Sequence, residues 1–484
     1  MAAAVVAAAA LCVPAGAAKK KEPRQVVVEL NGVLGGPEDY FVPRYMPFEV
    51  PEGATKIRVE QSYETDDEVR ANVDLGVFDP RGTELNTAGF RGWSGGARRE
   101  FEISRSDATP GYMPGEIQPG EWNVVQMLTS TSYDVEWKLR ITITVGGDEG
   151  EPFVPKYPAA KLNDRPGWYR IDPHVHTFHS DGANSPEEIV ALAKAKGLDG
   201  IVSADHNTLA SLGRWGYCQD SALLVIPGME VTYNEGHWNV PGIDPAVWVD
   251  FRYRASDRAS YEACVERAKE AGALVQANHP YMIEFRYDKA PADMIEVWNG
   301  GWCEANERAV AAWDALLRAG VWKAATCGSD YHRPSDIPEG VPLAPQTVVR
   351  ARSLSADDVL AGMAAGRSYL TEWSDVELEM EAFVGGEDSV RAGIGETLRV
   401  DGLKVPVPQV RFVANRSGEL RLLNETGTVY RGEVSPGDEV VMGLPRDSRW
   451  VRAELRTPEG RMVAMTNPIF FEYGVDGWGR FSDE

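Results

Sequence analysis

The sequence predicts an α/β protein whose middle region repeats strand–helix units between two antiparallel β regions. Three observations predict it. Up to Val145, apolar residues alternate at period two. From Trp168 to about Trp373, short apolar runs alternate with stretches of helical periodicity. From Asp375 the period-two pattern returns. A chain of 484 residues is too long for one ordinary domain, and roughly two to four are expected. The expected divisions are 1–18 as a signal peptide, 24–147 as an accessory β-sandwich, 148–167 as a linker, 168–373 as the α/β unit, 375–473 as a second β-sandwich and 474–484 as a loose tail.

In chain order, Ala2 to Val13 is a short apolar run, and Ala15-Gly16-Ala17 resembles a small-residue cleavage site. The expectation is export to the periplasm, the cell surface or the medium; without cleavage the protein would be cytoplasmic. In the first β region, Tyr133, Val135, Trp137, Leu139, Ile141, Ile143 and Val145 alternate without a break, as a strand with one buried face does. Val73, Leu75 and Val77 repeat the pattern until the turn Asp79-Pro80-Arg81-Gly82, and Ile57 and Val59 fit it too. Gly146 to Gly167 is rich in Pro, Gly and charge, which marks a linker.

In the middle region, Ser185-Pro186-Glu187-Glu188 is a capping box with Pro at the first helical position, and Gly197 ends that helix. Strands are expected at Gly200 to Ala204, Leu223 to Ile226, Ala273 to Ala277, Ile295 to Trp298 and Lys323 to Thr326. Helices are expected at Tyr261 to Glu270, Asn306 to Arg318 and Ala356 to Ala365. Such repetition builds a parallel sheet or a barrel. In the last region Val410, Phe412, Leu420, Leu422, Val451, Ala453 and Leu455 alternate, with turns such as Ser435-Pro436-Gly437-Asp438 between the runs.

The composition, 43% hydrophobic and 25% charged, is that of a folded soluble protein. A net charge of −24 excludes a non-specific nucleic-acid binder, which needs a basic surface to displace counterions; nucleic acid enters at most as a small nucleotide substrate. No segment has the ~20 apolar residues of a membrane span. Apart from Cys12, the cysteines are Cys218, Cys264, Cys303 and Cys327. Without a CxxC pair they read as buried thiols, not as a disulfide scaffold or structural zinc site.

The chemistry concentrates in DPHVHTFHSDG, Asp172 to Gly182. SADHNT (Ser203 to Thr208), GMEVT (Gly228 to Thr232), GHWN (Gly236 to Asn239), NHP (Asn278 to Pro280) and GSDYH (Gly328 to His332) follow. All seven histidines fall in a window of 159 residues out of 484, where even scattering would place two or three. His174 and His176, two apart at a strand end, can face one ion. Asp330 and His332 repeat that spacing, and Asp181 and His179 add acceptors nearby. Singly, each histidine is more often a hydrogen-bonded core or surface residue. Together, His174, His206, Glu230, His279 and Asp330 each come at or just after an apolar run, where strand ends of α/β folds converge on one face. Ligands of this N/O type suit Zn, Mn or Fe. Arg252, Arg254 and Arg286 lie between the motifs and are candidates for holding phosphate. Trp238, beside His237, is a candidate pocket wall; Trp313 reads as core.

This motif set resembles the PHP (polymerase and histidinol phosphatase) domain over about Tyr169 to Trp373. The layout, with a β region on either side and an apparent signal peptide, resembles the CehA/McbA-type branch of PHP metallohydrolases. The resemblance implies a distorted (β/α)7 barrel holding two or three divalent ions. His174, His176, Glu230 and Asp330 would hold one. Glu230 would bridge to a second, with His237 and His279. Asp181, His206 and His332 would hold a third. His179 has no role in the motif, and Pro173, where the family often has Leu, should point away from the ions. A hydroxide bridging two ions is a nucleophile at neutral pH. The implied reaction is hydrolysis of a small phosphate ester. The same site could instead cleave a carbamate or carboxylic ester, and a non-enzymatic surface binding protein built on the sandwiches is the third reading.

Overall fold

The computed structural model describes residues 22–65, 71–131, 133–253, 257–281, 291–336, 344–385, 389–400 and 407–473. The expected signal peptide and tail, with Cys12, Arg254 and Arg286, lie outside the described residues. The fold is mixed α/β and strand-rich, 44% strand against 14% helix. Among the described residues no helix is long and apolar enough to cross a membrane.

The N-terminal region folds as two four-stranded sheets. One runs Arg24–Leu34, Val135–Val145, Ala54–Tyr63, Glu100–Ser104; the other runs Arg44–Val50, Gly120–Ser130, Asn72–Phe78, Phe90–Gly95. Alternation does what the sequence predicts in Val135–Val145, whose residues are buried and exposed in turn. The inner faces share one core, with Ile57, Val59, Leu75, Val124, Leu139 and Ile141 fully buried. The second sheet departs from the alternating expectation: Asn72–Phe78 is buried on both faces. Its outer residues Phe78, Phe90, Trp93, Val125 and Met127 belong to the core of the middle region. Phe90 stacks on Trp248 at 3.9 Å between ring centroids, and Trp93 packs on Phe251 at 4.7 Å. Each such side chain contributes about 1.5–3 kcal/mol by leaving water. The first β region is therefore built into the middle one.

The middle region contains the expected helices with small shifts, Pro186–Ala195, Arg258–Glu270, Glu304–Arg318 and Ala356–Ala364. The capping box forms: the Ser185 side chain accepts from the Glu188 amide, and Glu188 accepts from the Ser185 amide. The (β/α)7 barrel does not appear as one closed parallel sheet. The strands divide between two sheets. One contains Leu224–Ile226, Gly200–Ser203 and Gly167–Val175; the other runs Glu230–Tyr233, Gly236–Asn239, Gln276–Ala277, Met294–Asn299, Ala324–Gly328. Among the described residues no ladder joins the two sheets; isolated bridges, Val175 with Tyr331 and His206 with Glu230, link them, with hydrogen bonds such as Asp330 N–H to the His174 carbonyl. Loop length sets the pairing at the start of the second sheet. A parallel crossover needs about a dozen residues, and Glu230–Tyr233 reaches Gly236–Asn239 through a two-residue turn, so the pair is an antiparallel hairpin.

The C-terminal β region is not set apart. Strand Gly167–Val175 continues its sheet through Gln346–Ala351 and Ser368–Thr371 to Met462–Thr466, Trp450–Arg456 and Gly418–Asn424. An expected domain boundary near residue 374 thus falls inside one continuous sheet. A second sheet, with Leu378–Val384 and Gln409–Ala414, covers the other side of a shared core that includes Met380, Phe412, Leu420 and Leu422. The linker is also tied down: Lys161–Asn163 pairs with Leu354–Ser355, and Lys156 exchanges backbone bonds with Gly213 and Gly216. Of the cysteines, Cys264 and Cys327 are buried as expected; Cys218 is half-buried and Cys303 exposed, and all four are free thiols.

Candidate metal centre

Each candidate residue is placed by the end of a strand. His174 lies at the end of Gly167–Val175, and His176 follows it on the same side. His206 follows Gly200–Ser203, His279 follows Gln276–Ala277, and Asp330 follows Ala324–Gly328. Glu230 opens its hairpin and His237 sits on the returning strand opposite Thr232, so the short loop between them is what brings His237 back. Two of the residues, His279 (φ 25°) and Asp330 (φ 52°), hold the left-handed backbone region, as does Asn207 (φ 58°) beside His206. Non-glycine residues adopt it at a cost, and such strain gathers at sites where direction matters more than local comfort.

All nine side chains meet in one cluster. Glu230 is fully buried at its centre. Its Oε1 lies 3.4 Å from His174 Nε2, 3.4 Å from His237 Nδ1 and 3.3 Å from His279 Nε2. Its Oε2 lies 2.9 Å from His206 Nδ1 and 3.6 Å from His176 Nε2. Asp330 Oδ1 lies 3.0 Å from His176 Nε2 and 3.4 Å from His174 Nε2. At the outer edge, Asp181 Oδ1 lies 3.3 Å from His332 Nε2 and 3.6 Å from His206 Nε2. The two Nε2 atoms stand 3.4 Å apart. Three groups could each hold an ion: His174, His176 and Asp330; His174, Glu230 and His279; and His176, Asp181, His206 and His332.

The side chains fit divalent ions on two counts. Donor atoms about 2.0–2.2 Å from one ion stand roughly 3.0–3.4 Å from one another, and most of the distances above fall there. Second, His174 Nε2, 3.4 Å from both Glu230 Oε1 and Asp330 Oδ1, is buried without a hydrogen-bond partner. Burying polar atoms unpaired is expensive, and a cation removes the cost. Without ions the cluster holds protons instead: against the effect of burial, the carboxylates push His174 up and His206 up to about 9, so a bound ion would displace protons from those rings. Burial alone would raise the carboxyls of Glu230 and Asp330, but His174 with His206 and His237, and His174 with His176, outweigh it and hold both well below the ordinary range. Both are therefore ionised and can only accept. Burial, with His206 and His332 nearby, pushes His176 down to about 4, so its imidazole is neutral and free to ligate.

Sequence reasoning missed the residues that hold this cluster in place. Glu296 is buried and lies 3.0 Å from His174 Nδ1, while its other oxygen accepts from the His279 amide at 3.0 Å. An acidic residue inside the apolar run Met294–Asn299 was the available signal. Asn278 donates to Glu230 Oε1 at 2.8 Å, and Asp172 accepts from the His174 and Ser329 amides. Asp205 accepts from Thr177 and Ser180, fixing the loop between His176 and Asp181. Such outer bonds set ring orientation and ligand basicity.

Three other candidates belong elsewhere. His179 turns away from the cluster, its Nδ1 accepting from the Gly111 amide of the N-terminal region at 3.3 Å. Trp238 belongs to the core of the middle region, fully buried and donating to the Tyr253 hydroxyl at 2.6 Å. Arg252 does not face the cluster; it bonds Asp250, the Thr83 and Glu84 carbonyls and the Tyr45 hydroxyl, pinning the first β region to the middle one. Trp313 packs in the core, as the sequence predicts.

A histidine–carboxylate cluster at the strand ends of an α/β region is a candidate metal centre, and parts of this chain are similar to known proteins. Residues 172–319 match the family model of the PHP domain. An uncharacterized protein, MJ1587, of Methanocaldococcus jannaschii is 26% identical over 124 residues, spanning 23% of this chain and 68% of that protein. Among solved structures, a two-domain protein from Bacteroides vulgatus containing a predicted PHP-like metal-dependent phosphoesterase is similar at 16% identity, over 67% of this chain and all of that one, with a TM-score of 0.36. A putative metal-dependent phosphoesterase from Bifidobacterium adolescentis is similar at 18% identity, over 40% of this chain and 94% of that one, with a TM-score of 0.27.

Proposed function

We propose that the protein is a divalent-metal-dependent hydrolase of small phosphate esters. One observation carries the reading: eight imidazoles and carboxylates from remote parts of the chain meet in three groups at ligand spacing, with His237 3.4 Å from Glu230 Oε1 and the buried His174 Nε2 left unpaired. His174, His176, Glu230 and Asp330 are assigned to one ion, Glu230, His237 and His279 to a second, and Asp181, His206 and His332 to a third. Bound divalent ions supply Lewis acidity and a nucleophile at neutral pH.

The chain's own residues do the rest. Glu296 orients His174, Asn278 steadies Glu230, and Thr232 lies 2.6 Å from His206 Nδ1, holding that ring. The nine donors are six imidazoles and three carboxylates, so two or three divalent ions leave the cluster positive. That favours an anionic ester, and the PHP match supports the same centre. The β regions on both sides of the match support the CehA/McbA-type branch, and the apolar N-terminus supports export.

The test is p-nitrophenol release by protein reconstituted with Mn, Zn or Fe, assayed against p-nitrophenyl phosphate mono- and diesters and p-nitrophenyl carbamates, with inorganic phosphate measured on the monoester. Release of phosphate is expected, and only from protein that elemental analysis shows to hold metal. A faster reaction on the carbamates would move the assignment to an acyl centre; no metal on the protein would reject the site.

A further inference from the structure

The cavity that opens onto Asp181, His206 and His237 has a volume of about 610 Å³, and its remaining wall comes largely from the N-terminal β region. Two of the wall's polar side chains carry a message. Asp74 is 9% exposed, and both its hydrogen bonds, from Asn72 Nδ2 at 2.9 Å and Thr129 Oγ1 at 3.3 Å, go to Oδ1. Its Oδ2 has no partner among the described residues. Trp93 is 2% exposed, and its indole N–H makes no hydrogen bond to the described residues either; neither atom is among the fully enclosed unpaired ones, so each is open to the cavity its residue lines. Both residues flank Gly95, where an added Cβ would sit 3.6 Å from Trp93 Nε1 and 3.9 Å from Asp74 Cγ and Oδ1. Here one acceptor and one donor are left open on a cavity that reaches the metal cluster.

We infer that this wall selects the alcohol portion of the substrate, and that the portion is a hydroxylated, uncharged group, a polyol or sugar, held by Asp74 Oδ2 and the Trp93 N–H while its phosphate lies at the ions. The inference rests on the phosphoesterase reading. A hydroxyl both donates and accepts, so neighbouring hydroxyls match an acceptor–donor pair. A site built to bond hydroxyls also rejects an analogue lacking them, because its own buried groups are then left unpaired. Asn72 and Thr129 serve as positioning residues for Asp74. The step is ordinary hydrolysis: water adds to phosphorus, the P–O bond to the alcohol breaks, and the alcohol leaves with a proton.

The test compares wild type with D74N and W93F, all metal-reconstituted, on glucose 6-phosphate, glycerol 2-phosphate and p-nitrophenyl phosphate. Wild type is expected to favour the hydroxylated esters in kcat/KM. D74N should raise their KM about tenfold or more while changing kcat/KM for p-nitrophenyl phosphate less than about threefold, with metal content and Tm unchanged. Equal losses on all substrates, or no wild-type preference, would overturn the proposal. Thermal shift by glucose 6-phosphate against phenyl phosphate gives a readout free of turnover. If wild type binds glucose 6-phosphate preferentially, loses the preference in D74N, and hydrolyses neither ester, the phosphoesterase reading fails while the wall stands.

Discussion

Among the buried charged clusters of the described residues, two differ in one respect. The first is the histidine–carboxylate cluster. The second joins helix Glu304–Arg318 to strand Trp450–Arg456. There Arg452 donates to Asp314 at 2.9 and 3.0 Å and to Glu454 at 2.7 Å, and Arg456 donates to Glu454 at 2.8 Å and Glu307 at 2.6 Å. Arg452 also lies over the Trp313 ring, 5.4 Å from its centroid. None of its nitrogen or oxygen atoms is buried and unpaired, whereas the metal cluster leaves several so. A closed ion network is complete as folded and does structural work. An open one asks for something the chain does not supply. Burial and charge alone would have marked both; completeness separates them.

Breaking the clusters one at a time sharpens the contrast. The largest effect is expected from H174A or D330A, which should abolish turnover and lower bound metal measured by elemental analysis. Folding of the metal-free protein, followed by circular dichroism, should be little changed. If either variant keeps wild-type activity, the open cluster is not the site.

Next comes the closed network. D314A leaves Arg452, 2% exposed, without a main partner and should cost about 3–5 kcal/mol in denaturant unfolding. Activity per folded, metal-loaded molecule should hold. A loss of metal without a loss of stability would erase the distinction between the clusters.

E296Q is a smaller change. It keeps the shape but removes the charge that orients His174, and metal affinity by competition with a chelator should fall about 10–100-fold. The pH dependence of stability tests the other cluster. Burial alone would raise the Glu454 carboxyl, but Arg452 and Arg456 outweigh it and hold it at about 2. Its folded value is below the ordinary 4.5, so its contribution is full above that pH and is lost as pH falls toward about 2. E454Q should flatten that part of the acid unfolding curve. The smallest effect is S185A, which removes the helix cap and should cost about 1 kcal/mol, with metal content and activity unaffected.

The sequence by itself determined what depends on near neighbours. Alternation gave the face of Val135–Val145, the capping box fixed the start of Pro186–Ala195, and the spacing of histidines and carboxylates after apolar runs marked the cluster. Those signals are periodic or local, and backbone geometry converts them directly into direction. Tertiary structure alone decided the rest. Loop length turned the stretch from Glu230 to Asn239 into a hairpin, and the strands of the expected barrel divide between two sheets. Packing of Phe90 and Trp93 against Trp248 and Phe251 built the N-terminal region into the middle one and set Asp74 on the cavity. Glu296 gained its role only because its strand lies beside Ala324–Gly328 and Gln276–Ala277. Which distant surfaces meet depends on burying apolar area over the whole chain, and no window of neighbouring residues encodes that sum.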